Sequence, residues 1–196
     1  YETFFSNAAT QAKQIGTTMS DYISSTADFA RLGYSLEDSE ELATVASVYF
    51  NVADGISTID EASQSVISTM KAFDVQVNES MGIVDLFNEV SNNFAISSGG
   101  IGEAMQRSAS ALQAAGNTME ESVALITAAN SVVQDPMKVG NALKTLSMRL
   151  RGAKTELEDA GLATDGMAES TAKLREQLLA LTGEQVDIML DEDTFK

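Results

Sequence analysis

The sequence predicts an all-α protein, and three observations carry that reading. Proline appears once in 196 residues, against a usual ~5%. Ala, Leu, Met, Glu and Gln are plentiful and aromatic residues make up only 6%, a composition that suits helices. The third observation is internal repetition, the mark of stacked helical units. The expected architecture is a leading heptad-like helix, three two-helix repeats of about 41 residues and a C-terminal helix.

The leading element comes first. Phe5, Ala8, Ala12, Ile15, Met19, Tyr22 and Phe29 fall on alternating three- and four-residue steps, interrupted only at Thr26. That spacing predicts one helix over 5–30 with a seam able to pack along another helix, in the same molecule or in a second copy. Gly16 lies inside this run and weakens it by roughly 1 kcal/mol.

The repeat follows. "GYSLEDS" (33–39), "DVQVNES" (74–80) and "GNTMEES" (116–122) start 41 and then 42 residues apart. Between them lie "STIDEA" (57–62), "GGIGEA" (99–104) and "MKVGNA" (137–142), spaced by 42 and 38. Ser35 with Asp38, and Thr118 with Glu121, place a hydroxyl at the helix start and an acid three residues on. The hydroxyl accepts from an otherwise unpaired N–H and the acid suits the positive end of the helix dipole. Gln76 in the middle copy is a weaker cap. Gly33 and Gly116 mark the ends of the preceding helices. Met70, Leu112 and Leu150 coincide in the three copies and are expected in the core. Met105, Met119 and Met148 join Met70 as expected core fillers.

Past Arg151 the repeat fades. "AGLATDGMAES" (160–170) resembles a helix start with an insertion. Lys173–Leu181 then predicts one more amphipathic helix with Leu174, Leu178 and Leu181 on one face, ended by Gly183. The expected units are 1–32, an N-terminal helix; 33–156, the helical-repeat core; and 157–196, a C-terminal helix with an acidic linker. A chain that opens on Tyr1 rather than Met reads as a piece of something larger.

Composition also narrows function. There is no cysteine and no histidine, which removes thiolate chemistry, the commonest general base and the commonest metal ligand. A net charge of −17 argues against broad nucleic-acid binding, which needs a basic face. No run approaches the eighteen apolar residues of a membrane span. "SSGGIGEAM" (97–105) looks at first like a phosphate cradle, but it follows no strand and lacks the Gly-Lys-Ser/Thr signature. Its glycines align with ordinary residues of the other copies, so it reads as a joint between helices. "EDSEE" (37–41) sits in a first helical turn, where acids complement the dipole. "DIMLDEDTF" lacks the spacing of a calcium loop. Catalytic, cofactor and metal residues are all expected to be absent.

One stretch stands out against the acidic background. Lys138, Lys144, Arg149, Arg151 and Lys154 fall between Pro136 and Thr155 with no acid among them. Lys144 and Arg151, seven apart, share a helix face. They are candidates for a partner-binding basic face, or for charge compensation within the fold.

The run "FNEVSNNFAISSGGIGEAMQRSASALQAAGNTMEESVALITAANSVVQDPMKVGNALKTLSMRLRGAKTELEDAG" (87–161) resembles the core region of phage tail tape measure proteins. "GYSLEDSEELATVA" and "STMKAFDVQVNES" upstream are similar to that family too. The features that carry the resemblance are the Ala-Gly before a capped helix start, the "G-x-A-L" after it and the closing "LRGAK". The resemblance implies a structural, non-enzymatic protein of a phage or prophage tail, present in the host cytoplasm during assembly and then in the lumen of the tail tube. It implies a role in setting tail length and in DNA delivery. The implied partners are tail tube and tail-tip proteins, tail assembly chaperones and further copies through helix pairing. The resemblance carries no active-site residues to this region. The rival reading is a helical-repeat adaptor whose stacked pairs present a groove to a protein partner.

Overall fold

The computed structural model describes residues 2–159. The expected helix at Lys173–Leu181 and the acidic 184–196 segment lie outside the described residues. Within them the chain is all-α: α1 (Glu2–Ile15), α2 (Met19–Arg31), α3 (Leu36–Val52), α4 (Ile59–Phe73), α5 (Met81–Asn93), α6 (Ser98–Ala114), α7 (Met119–Val133) and α8 (Pro136–Asp159), with a 3-10 turn at Val77–Glu79.

The leading helix is two helices, not one. α1 stops at Ile15, and Gly16 takes φ +80°, which side chains other than glycine rarely adopt. Thr18 then caps α2 by accepting from the Asp21 N–H at 3.1 Å. Asn51 of α3 ties off the end of α1 by donating to the Ile15 carbonyl at 2.7 Å. From Ala8 on, where its side chains are described, the seam is nonetheless apolar and mostly inward-facing. Ala8, Ala12 and Tyr22 bury together against Ala43 of α3, and Phe29 enters the main core. Met19 is the exception, 37% exposed beside the break. Thr26, which interrupts the heptad pattern, is buried and donates to the Tyr22 carbonyl.

The strong caps fall where the repeat predicts them. Ser35 accepts from the Asp38 N–H, and Thr118 and Glu121 form a reciprocal capping box. Gly33 and Gly116 have φ +94° and +87° at the ends of the preceding helices. Gln76 makes no cap. There the chain takes a 3-10 turn instead, and α5 begins only at Met81.

α6 is the centre of the molecule, flanked by α4 and α8; α3, α5 and α7 lie against these three. α6 and α8 run in the same direction, because Gly100 meets Pro136 and Ala104 meets Gly140. α7 runs opposite to α6: it starts just after α6 ends, and Asn130 near its end donates to the Ala95 carbonyl just before α6 begins. The main core includes Leu42, Tyr49, Val66, Met70, Phe87, Met105, Leu112 and Ile126. Tyr49 and Phe87 meet edge to face with ring centroids 5.9 Å apart, a favoured aromatic geometry. Met70 and Leu112 are buried as expected, whereas Leu150 is only half-buried. Met119 packs partly buried against the core, and Met148 is 58% exposed, not a core filler. Met148 stands off the buried stripe of α8, which runs through Val139, Leu143 and Ser147.

Buried hydroxyls are numerous and most bond within their own helix. Ser47, Thr69, Ser108 and Ser122 each donate to the carbonyl four residues earlier, at 2.7–2.9 Å. Burial without such a partner would cost each hydroxyl about 1–3 kcal/mol.

Candidate functional site

Three places can be weighed as functional sites, and the glycine run is the first. The joint between α5 and α6 is shorter than the sequence implies, since Ser97 is already the cap of α6. Gly99, Gly100 and Gly102 therefore sit inside the first turns of that helix. Each lies where a Cβ would collide. At Gly99 it would come within 2.6 Å of the Gly55 carbonyl oxygen, at Gly100 within 2.9 Å of Pro136, and at Gly102 within 2.7 Å of both the Ser65 and Tyr49 hydroxyls. The glycines are thus the surface on which the α3–α4 connection, α4 and α8 close around α6.

The amides at this helix start are already committed. The Ser98 N–H donates to an Asp54 carboxylate oxygen at 3.1 Å and the Gly99 N–H to the Asp54 carbonyl at 2.9 Å. The Gly100 N–H donates to the Ser97 hydroxyl at 3.0 Å, and the Ile101 N–H to the Ser97 carbonyl. A phosphate would need those donors free. Tyr49 completes the junction by donating to the Ser98 carbonyl at 2.7 Å. Burial first, and the Asp54 carboxylate second, push its phenol well above the ordinary value. It stays a protonated structural donor.

The second place is the basic run on α8. Lys138 is exposed and pairs with Asp135 at 3.0 Å, within the first turn of its own helix. Its ammonium bond and its backbone N–H hold the Asp135 carboxyl below the usual value. Lys144, Arg149 and Arg151 are exposed and make no ion pair among the described residues. At about 100° per residue, Lys144 and Arg151 share one flank of α8, while Lys138 and Arg149 fall together on another. The backbone of Lys154 continues α8, and its side chain lies outside the described residues. The five are one run in sequence, and the four whose side chains are described fall on two flanks in space.

The third place is a groove of about 480 Å³ between α5 and α7. Leu86, Val90 and Phe94 form one wall; Val123, Ala124, Thr127 and Ala128 form the other. Phe94, at its end, is 61% exposed. α5 and α7 carry Asp85, Glu89, Glu120 and Glu121 and no lysine or arginine. The groove is therefore apolar inside with an acidic surround. Sequence reasoning missed it, because the apolar stripes of both helices look like ordinary core faces.

Among the described residues no group of acids is gathered as a metal site, and no helix is long and apolar enough to cross a membrane.

What the fold presents among the described residues is a closed glycine junction, exposed basic flanks on α8 and an apolar groove. Residues 9–192 match the family of phage-related minor tail proteins. The chain belongs to that family. Membership makes it a structural component of the phage tail. The match spans the glycine junction, the basic run and the groove, so these features sit inside the family's own region. No solved structure matches this fold.

Proposed function

We propose that this chain is the core region of a tape measure protein, lying in the tail tube and contributing to tail length without catalysing a reaction. What carries the reading is the run Phe87–Gly161, where the capped start of α7, the G-x-A-L of α8 and the closing LRGAK fall at the family's spacing, within a protein of the phage tail. Tail tube and tail-tip proteins, assembly chaperones and further copies of the chain are then its partners. The acidic surface supports the reading in a second way: it does not adhere to DNA that must pass through the same tube. A role in DNA delivery rests on the same placement.

The test is tail length in electron micrographs after an in-frame deletion of residues 33–156 from the full gene. Those 124 residues span about 186 Å as a continuous α-helix at ~1.5 Å per residue. Packed as they are here, the longest helix they include is the 136–156 part of α8, about 32 Å long at ~1.5 Å per residue. Tails shortened by an amount between these limits support the reading, and the amount reports how far the block is drawn out. Assembled tails of unchanged length overturn it.

A further inference from the structure

The groove between α5 and α7 has a matching segment in the same chain. We propose that it receives the leucine face of residues 173–181, so that the C-terminal part of the chain folds back onto the helical block. This inference stands apart from the tape-measure reading and needs only the chain itself.

Three observations point to that occupant. The first is chemistry. The sequence "KLREQLLAL" puts Leu174, Leu178 and Leu181 on one helical face, with Lys173 and Arg175 beside it. The groove offers the complement, apolar walls from Leu86, Val90 and Val123 with Asp85, Glu89 and Glu120 around them. An amphipathic helix laid in an apolar groove is a common recognition mode, read through anchors three and four residues apart.

The second is size. The α7 wall runs from Glu120 to Ser131, about 17 Å of helix, and Leu174 to Leu181 needs about 11 Å. The leucine face fits with room at both ends.

The third is reach. α5 and α7 run side by side in one direction, with Leu86 and Glu120 at the near end of the groove and Phe94 and Ser131 at the far end. α8 runs opposite to α7, so its last residues lie toward the near end. Only residues 160–172 separate Asp159 from Lys173, and those thirteen span up to about 45 Å when extended. A tether of that length holds the segment near the groove at an effective concentration on the order of millimolar. A second copy in dilute solution cannot compete with that.

The chain has no cysteine, so an introduced pair is unambiguous. Ala124→Cys in the groove and Gln177→Cys beside the leucine face are combined in the full 196-residue chain. The dilute protein is treated with a short bis-maleimide, and monomer and dimer bands are mapped by mass spectrometry. The proposal expects a bridge within the monomer that is lost with Leu178→Asp, on the leucine face, and kept with Leu179→Asp, on the opposite side. Raising the salt lowers the yield, since the basic and acidic groups are exposed. A bridge only between chains makes a second copy the occupant and overturns the proposal. No bridge, or equal bridging in both leucine variants, overturns it as well. Thermal melts of each variant separate loss of docking from loss of fold, because Ala124 is exposed.

Discussion

Gly140 and Gly152 stand twelve residues apart on one helix and do opposite things. A Cβ on Gly140 would come within 2.7 Å of the Ala104 carbonyl oxygen and 3.0 Å of its Cα, whereas one on Gly152 would meet nothing within 4 Å. The first half of α8 lies against the backbone of α6, and at Gly152 the helix faces open space. Glycine lets two backbones approach in the one place and only weakens a helix in the other. The same contrast runs through the molecule. α6 is gripped on several sides through glycine, serine and alanine, while α5 and α7 are held by larger side chains and leave a groove.

The largest expected effect tests whether α6 is the centre. Leu112 is fully buried on it, and Leu112→Ala is expected to cost about 2–5 kcal/mol. Denaturant titration measures this, and a loss under 1 kcal/mol would remove α6 from that position. Gly140→Ala comes next. Overpacking against a backbone carbonyl costs about 1–3 kcal/mol, offset by up to ~1 kcal/mol of helix propensity. A net loss in the same titration is expected, and a gain would show that α6 and α8 separate freely. The smallest effect has the opposite sign. Gly152→Ala adds a methyl in open space and is expected to stabilise by about 0.4–1 kcal/mol, read as a modest rise in Tm.

The contrast also explains what could be read from the sequence. Helix starts at Ser35 and Thr118 were legible because a cap is a local bond between residues three apart. The break at Gly16 left a local signal as well, glycine followed by Thr18 and Asp21, but the apolar spacing continued across it and concealed it. A heptad pattern shows which residues face inward, not whether the backbone between them is continuous. The start of α6 was misplaced by three residues because the first unit is capped at Thr58, while Ser97 and Asp135 cap the later two further upstream. The basic residues of α8 were legible as a run but not as two flanks. The groove left no signal, since it is lined by two helices that α6 separates in sequence.

The hydroxyls bonded within their own helices have a mechanical consequence. When two such helices are drawn apart, Ser47, Thr69, Ser108 and Ser122 meet water with their hydrogen bonds intact. Among the described residues the polar ties that must break between elements include Ser25 to Ser63, Gln106 to Ser65, Asn51 to the Ile15 carbonyl, Asn130 to the Ala95 carbonyl, the Ser98 and Gly99 amides to Asp54, and the hydroxyls of Tyr22 and Tyr49 on the carbonyls of Glu40 and Ser98. Tension applied along the chain therefore works mainly against apolar contact, which reforms without a partner having to be found again.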